Sequence, residues 1–194
     1  MTQATSAGRT RDPARREKIL DAAALLLARH GYHAVSMTDI GTEAGITGSA
    51  IYRHFDSKAA ILVALFEGVI DQLLSDEKAI VDREPDLAQA VTRLIDGQVE
   101  FVVGNRAIAQ VYHNEINNLP EEDRRRLRRK QRLYLEEWVH LLDELRDDLG
   151  DPECRAVVHA AIGAIQSSLF HTVGLPDDRL RALLTGAARA VLGV

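Results

Sequence analysis

The chain has 194 residues, of which 46% are hydrophobic and 27% are charged, and its formal net charge is -5. This balance is that of an ordinary soluble globular protein, and no apolar run approaches the ~20 residues that a membrane-spanning helix needs. Cys154 is the only cysteine, which excludes an internal disulfide and a cysteine-based metal cage. The polar, basic start lacks the apolar segment of a secretory signal, so we expect a cytoplasmic protein.

The charge is unevenly distributed along the chain. Residues 1–60 hold eight Lys/Arg and six Asp/Glu, a balance of +2, whereas the other 134 residues hold 16 basic and 23 acidic side chains. A mildly basic head on an acidic body remains compatible with a nucleic-acid partner, since the distribution of charge matters more than its sum.

The first quarter of the chain predicts three helices. Residues 1–11 predict a flexible basic arm, and the apolar spacing of three and four that follows predicts a helix over 12–30. Ser36 and Asp39 form a capping-box pattern that opens a short second helix, which Gly45 closes. A short third helix is predicted over 48–55.

The remaining residues continue the helical pattern to the end of the chain. Further helices are predicted at 58–81, 87–103, 107–116, 121–149, 152–173 and 177–192. No segment alternates convincingly at period two, so the sequence predicts an all-α fold of about nine helices. We divide it into the arm, a helix-turn-helix domain at 12–58, and a helical ligand-binding and dimerisation domain at 59–194.

The segment 36–55 has the pattern helix, three-residue turn, helix. Gly45 lies at the turn, where a positive φ is needed, and the second short helix would face outward to enter a major groove. Small or hydrogen-bonding side chains on that helix can approach base edges, and aromatic or basic ones can donate to phosphates. The predicted DNA contacts are Thr38, Thr47, Gly48, Ser49, Tyr52, Arg53, His54 and Lys58.

The run Thr38 to Ile46, followed by Ser49 to Lys58, resembles the N-terminal signature of TetR-family regulators. The resemblance covers about residues 15–62, with Gly41 where alanine is usual and Gly48 where lysine is frequent. It implies a homodimeric repressor that binds a palindromic operator and is released by a small molecule held in the C-terminal body. It also implies that the chain is not an enzyme.

Polar side chains interrupt the apolar helical patterns of the predicted body. They predict either internally bonded packing or the lining of a ligand pocket, which is mostly apolar with a few oriented polar groups. The candidate pocket residues are Tyr112, Asn114, Glu115, Tyr134, Trp138, Gln166 and His171. Residues 107–142 also resemble, more faintly, regulators of fatty-acid or steroid catabolism that sense acyl-coenzyme A.

A dense basic run extends from Arg124 to Arg132. One interpretation is a solvated face that pairs with nearby acidic residues at helical spacing. The other is an anion site at a pocket mouth, which would suit the phosphates of an acyl-coenzyme A.

The last two predicted helices are apolar nearly all round and rich in small residues, which predicts burial against a second copy of the chain. Core packing within one copy is the alternative. No catalytic constellation, metal-ligand pattern or cofactor loop is recognisable, so we expect no catalytic residues, metal or cofactor. The alternative function is a helical enzyme or small-molecule carrier with an N-terminal helical module, and the effector of a regulator could be an acyl-coenzyme A or another apolar metabolite.

Overall fold

The computed structural model describes residues 13–46, 48–171 and 174–194, so the predicted arm lies outside the described residues. The described part contains nine α-helical segments, one of them a single turn, and two short 3-10 helices. The α-helices are α1 (Pro13–His30), α2 (Met37–Glu43), α3 (Gly48–Ile51), α4 (Lys58–Val81), α5 (Leu87–Gly104), α6 (Arg106–Glu115), α7 (Glu121–Leu145), α8 (Asp151–Gln166) and α9 (Asp177–Leu192). The 3-10 helices are Ile116–Asn118 and Ser167–Leu169. No strand occurs in these ranges, which confirms the all-α prediction.

Helices α1 to α3 form a small trihelical head. Ile19, Leu27, Ile40 and Ile51 are almost completely buried between them, because the apolar positions of each helix recur at spacings of three and four. Phe55 closes this core below α3. The packing of this shared core therefore fixes the mutual orientation of the three helices, of which α2 and α3 are too short to be stable alone.

Helices α4, α5, α7, α8 and α9 form the body. Helix α4 packs against α1 in the head and against α5 and α7 in the body, and α9 packs against α8 and α5. Helix α6 contacts α1, so the head and the body meet along two helices. The body core continues that of the head, with Phe66, Ile95, Leu127 and Trp138 among its largest fully buried side chains.

The helix boundaries differ from the predicted ones at three C-terminal ends. Helix α3 stops at Ile51, and the chain reaches Phe55 through tighter turns in which the His54 amide donates to the Ile51 carbonyl at 2.9 Å. Helix α7 ends at Leu145 because Arg146 leaves the helical region at φ -122° and ψ 78°. Helix α8 ends at Gln166 and continues as a 3-10 turn. In the described ranges, no helix combines the length and the apolar character that crossing a membrane requires.

Candidate DNA-binding unit and ligand cavity

The α1–α2 loop and the turn after α2 hold the helix-turn-helix in place by local hydrogen bonds. The Ser36 amide donates to Asp39 Oδ2 at 2.8 Å and the Asp39 amide donates to Ser36 Oγ at 3.1 Å, which is the predicted capping box. The Ser36 hydroxyl also donates to Asp39 Oδ2 at 2.7 Å, and this bond, together with that from the Ser36 amide, keeps the pKa of the Asp39 carboxyl below its ordinary value. Gly45 has φ 67°, so the turn uses the left-handed conformation that favours glycine.

The predicted DNA contacts fall into an exposed group and a partly enclosed group. Tyr52 is 54% exposed, and Arg53 and Thr38 are also exposed, so their side chains are accessible to a large partner. His54 is half-buried, and its Nδ1 atom is enclosed without a hydrogen-bond partner among the residues that the structure describes. Thr47 lies outside the described residues, and of Gly48 and Ser49 only the helical backbone of α3 is described.

Lys58 has a structural role at the start of α4. Its ammonium donates to the carbonyl of Tyr32 and, at 2.5 Å, to the carbonyl of Val35, and it lies 4.2 Å from the centre of the Tyr32 ring. Because an ammonium has three N–H donors, one remains for another acceptor. Lys58 thus connects the α1–α2 loop to the start of α4. Only its third N–H group is available for the predicted phosphate contact.

A cavity of about 240 Å³ lies in the body between α4, α5, α6, α7 and α8. Its walls are mostly aliphatic and aromatic. The lining residues are Val69, Ile70, Leu73, Gln98, Phe101, Val102, Ala109, Tyr112, His113, Ile116, Arg128, Gln131, Tyr134, Leu135, Ile162, Gln166 and Leu169. Apolar walls with a few convergent polar groups are typical of small-molecule sites.

The polar groups of the cavity differ in how they are satisfied. The buried Tyr134 hydroxyl donates to Gln98 Oε1 at 2.9 Å, whereas the Tyr112 hydroxyl is enclosed and has no partner within the described ranges. Burial, opposed in part by the nearby Arg128, raises the pKa of Tyr112 to about 12, so the phenol is neutral at ordinary pH. Burial also raises the pKa of Tyr134. Both phenols therefore stay protonated hydrogen-bonding groups.

Of the seven predicted pocket residues, Tyr112, Tyr134 and Gln166 line the cavity and the other four do not. Asn114 and His171 are exposed, and Trp138 is buried behind Tyr134, with ring centres 6.0 Å apart. Sequence reasoning missed Gln98, which is 3% exposed and interrupts the buried apolar face of α5. That interruption is the signal from which Gln98 could have been found.

Glu115 faces the head instead of the cavity. Its Oε1 atom accepts a 3.0 Å hydrogen bond from the Tyr32 amide in the α1–α2 loop, and its other oxygen accepts from Asn118. Glu115 follows Tyr112 by three positions, which is only about 60° around the helix, so it lies at the edge of the cavity-lining face of α6, where it reaches the head. Helix α6 therefore contacts both the cavity and the head.

Within the described ranges, some side chains of the basic run of α7 form ion pairs with acidic side chains, and Arg128 does not. Arg125 pairs with Glu121, Arg126 with Glu67 and Asp123, and Lys130 with Asp71. Arg128 differs, because it is exposed at the edge of the cavity and bonds the neutral side chain of Asn117 at 3.3 Å. The ion-paired interpretation thus holds for Arg125, Arg126 and Lys130, whereas the anion site stays a prediction, for which Arg128 is the candidate.

A second, open groove lies beside the cavity, between α1, α4, α5 and α6. Val69, Leu73 and Phe101 line both spaces, so these three side chains form the wall between them. Elsewhere in the described ranges, no cluster of three or more His, Cys, Asp or Glu is arranged to hold a metal ion.

The outer surface of α8 and α9 carries many small side chains, together with exposed polar ones such as His159, Arg179 and Arg189. Its exposed small residues are Ala156, Ala160, Gly163, Ala182, Gly186, Ala187 and Ala190. Leu183, which is 44% exposed, and Val191, which is 39% exposed, extend this face along α9. Small side chains let a second helix pair approach closely, and the exposed leucine and valine add apolar area to such a contact.

Two family models match the chain. The model described as bacterial regulatory proteins of the tetR family matches residues 19–65, and the model described as the tetracyclin repressor-like C-terminal domain matches residues 84–168. The first match contains the whole α2–α3 unit, and the second contains most of the cavity-lining residues.

Curated relatives agree with these matches over part of their length. The HTH-type transcriptional repressor KstR2 of Rhodococcus jostii (strain RHA1) is 30% identical over 57% of this chain and 54% of its own length. The nucleoid occlusion factor SlmA of Shewanella halifaxensis (strain HAW-EB4) is 32% identical over 69% of this chain and 66% of its own length. The chain thus matches between about half and two thirds of these relatives.

Solved structures share the fold over nearly the whole chain. FadR of Bacillus subtilis in complex with stearoyl-CoA superposes with a TM-score of 0.73 at 20% identity, covering 91% of this chain and 97% of that one. AibR in complex with isovaleryl coenzyme A and operator DNA superposes with a TM-score of 0.77 at 17% identity, covering 89% and 96%. At these identities the likeness shows a common fold.

Proposed function

Because this chain belongs to the TetR family of bacterial regulatory proteins, we propose that it is a cytoplasmic, non-enzymatic repressor that binds operator DNA as a homodimer and is released by a small molecule. The observation that carries the proposal is the presence in one chain of an outward-facing helix-turn-helix and an internal, partly polar cavity. Helices α4 and α6 line the cavity and also pack against α1 of the head.

In this proposal the α2–α3 unit enters the major groove. Tyr52 and Arg53 are exposed beside α3, and Thr38 is exposed on α2, so these side chains are available for base or phosphate contacts. The other proposed DNA contacts are Thr47, Gly48, Ser49, His54 and the third donor of Lys58. The arm at 1–11 is proposed to add basic contacts to a neighbouring groove.

Dimerisation would occur through the small-residue face of α8 and α9. A dimer with two-fold symmetry would place two α3 helices about 34–36 Å apart, which is one turn of DNA and fits a palindromic operator. A head with a charge of about +2 contributes little electrostatic affinity by itself, so pairing of two heads is needed for tight binding.

We propose that the ligand belongs to the acyl-coenzyme A class. FadR and AibR, which share the fold, are described in complex with stearoyl-CoA and isovaleryl coenzyme A. In this chain the apolar cavity would take the acyl group, and Arg128 at its edge would attract an anionic part of the carrier. Ligand binding releases DNA only if the ligand prefers the conformation that binds DNA poorly.

The DNA part is tested by fluorescence anisotropy with the full chain and the DNA upstream of its own gene. Tyr52→Phe and Arg53→Ala should each weaken binding, and binding should fall steeply as salt rises, because phosphate contacts release counterions. Arg83→Ala is the matched control, since Arg83 is exposed at the far end of α4. Equal affinity of all four proteins would contradict the assigned contacts.

The ligand part is tested by native mass spectrometry of the purified chain and by titration of the DNA complex with octanoyl and stearoyl coenzyme A. Arg128→Gln should weaken release of DNA by the thioesters. Arg129→Gln is the control, because Arg129 is exposed on the same helix but does not line the cavity. Failure of every thioester to bind would remove the acyl-coenzyme A class from the proposal.

A further inference from the structure

The enclosed end of the cavity is polar. Gln98 and Tyr134 are 3% and 5% exposed, and both line the cavity. The Tyr134 hydroxyl donates to Gln98 Oε1, which uses the hydroxyl proton and one lone pair of the amide oxygen. Among the described residues, no partner is found for the Gln98 amide nitrogen, which carries two N–H donors.

A second donor lies on α6. The Tyr112 hydroxyl is enclosed and has no partner in the described part of the chain, and Tyr112 lines the same cavity. Its ring packs edge-on against Phe66, with centres 4.7 Å apart, which restricts the movement of the hydroxyl. The cavity thus contains two fixed donors, Gln98 and Tyr112, that need acceptors.

The polar end is separated from the mouth of the cavity. Arg128 and Tyr134 both lie on α7, six residues apart, so the buried pair lies about 9 Å further along the helix axis than Arg128. Arg128 is exposed, whereas Tyr134 is buried. A ligand with its anionic part near Arg128 therefore directs the far part of its acyl group toward Gln98 and Tyr134.

An unsubstituted alkyl chain fits this end poorly. It would offer no acceptor to the Gln98 amide or the Tyr112 hydroxyl, and buried donors left unpaired cost free energy. Sites that hydrogen-bond a ligand oxygen discriminate strongly against analogues that lack it, because the polar groups of the site are then left unsatisfied.

We propose that the effector carries an oxygen acceptor, a ketone or a hydroxyl, on the part of the molecule that is buried in the cavity. The Gln98 amide donates to this oxygen, with the Tyr112 hydroxyl as a second donor. This inference rests on the proposed function for the site, and it narrows the acyl class from plain fatty acyl groups to oxygenated ones.

The experiment is isothermal titration of the full chain with octanoyl coenzyme A and with oxo-octanoyl coenzyme A isomers that carry the ketone at successive positions. The preferred isomer should bind at least about tenfold more tightly than octanoyl coenzyme A, which corresponds to about 1.4 kcal/mol. Gln98→Leu should reduce this preference to less than about twofold, with the loss falling on the oxo isomer. Gln89→Leu, an exposed change at the start of the same helix, should leave the preference as it is.

Two further arms keep the proposal falsifiable. Tyr112→Phe removes one donor and leaves Gln98 in place, so it should lower the preference even if Gln98→Leu fails to fold. Free oxo-octanoic and octanoic acids replace the thioesters in a parallel titration. If only the acids bind, and Gln98→Leu abolishes the preference for the oxo acid, the inference stands and the proposed coenzyme A part of the ligand is contradicted.

The contrary results are equally defined. If octanoyl coenzyme A binds as tightly as every oxo isomer, the inference is overturned while the acyl-coenzyme A proposal stands. A preference that survives both Gln98→Leu and Tyr112→Phe also overturns it. If neither thioesters nor acids bind, both the inference and the ligand class of the proposed function fail, whereas the DNA-binding proposal is judged by its own titration.

Discussion

The head and the body of this chain treat polar groups in opposite ways. In the head, Ser36 and Asp39 satisfy each other, and Lys58 holds two backbone carbonyls. In the body, enclosed atoms of Glu77, Tyr112 and Trp138 have no partner in the described structure. Apart from the enclosed Nδ1 atom of His54, the head thus pairs its polar groups locally and presents its chemistry outward, whereas three enclosed polar side chains of the body stay unpaired in the described structure.

The largest expected effect comes from breaking the pairing that joins two heads. Gly163→Arg places a charged side chain on the small-residue face of α8, where a Cβ has open space within the single chain. We expect the variant to fold as a monomer and to bind operator at least about 100-fold more weakly, because the second head no longer binds as part of the same molecule.

Analytical ultracentrifugation and DNA titration measure this effect. Gln89→Arg adds the same charge at an exposed position of α5, and this variant should remain dimeric with unchanged operator affinity. A dimeric Gly163→Arg protein would show that the interface lies elsewhere.

The second effect concerns the unpaired carboxyl of the body. Burial, with a contribution from the nearby Glu137, raises the pKa of Glu77 to about 9. Glu77 therefore favours the folded state fully below its ordinary pKa of 4.5, and this contribution is lost as the pH rises through about 9. The free energy of unfolding should fall by about 4 kcal/mol between about pH 5 and 8 from this group.

Urea unfolding of Glu77→Gln at several pH values should show a flatter profile than the parent chain. Glu122→Gln, at an exposed position of α7, should keep the parental slope. Parallel profiles for the parent chain and Glu77→Gln would mean that this carboxyl is ionised in the folded chain.

The third effect tests how the two regions communicate. Glu115→Ala removes the hydrogen bond from α6 to the Tyr32 amide. Operator affinity without ligand should change little, whereas the factor by which ligand lowers that affinity should fall about fivefold, since α6 no longer holds the loop.

Titrations of operator with and without a saturating thioester give this factor. Asn114→Ala changes the exposed neighbour on the same helix and serves as the control. An unaltered factor in Glu115→Ala would place the coupling on α4 alone.

The smallest effect compares two helical glycines. A Cβ at Gly68 in α4 meets nothing within 4 Å, so Gly68→Ala should stabilise the chain by about 0.5–1 kcal/mol. A Cβ at Gly41 in α2 would lie 3.3 Å from the Ile46 carbonyl oxygen, so crowding should offset the same gain. Denaturant midpoints should rise for the first variant and stay near the parental value for the second; an equal rise would show that α2 relaxes without cost.

The sequence predicts the head better than the body for a physical reason. Capping by Ser36 and Asp39 and the turn at Gly45 are local, so neighbouring residues determine them. Cavity lining depends on which faces of distant helices meet, and this is why Tyr112 and Tyr134 were found while Asn114 and Glu115, on neighbouring positions, face elsewhere. The sequence does not distinguish Arg128 from Arg126 and Lys130. The distinction comes from α4, whose Glu67 and Asp71 pair with Arg126 and Lys130.

The thin wall between the cavity and the open groove has a consequence for how ligand length could change over evolution. Val69, Leu73 and Phe101 are all that these two spaces share. Phe101 is the largest of the three, and shortening it to alanine would join the cavity to the open groove, which runs along α1 of the head. A regulator for short ligands would then become one through which a longer tail can pass, without any change to the helices that read DNA. The same position is the natural starting point for engineering a sensor of longer molecules.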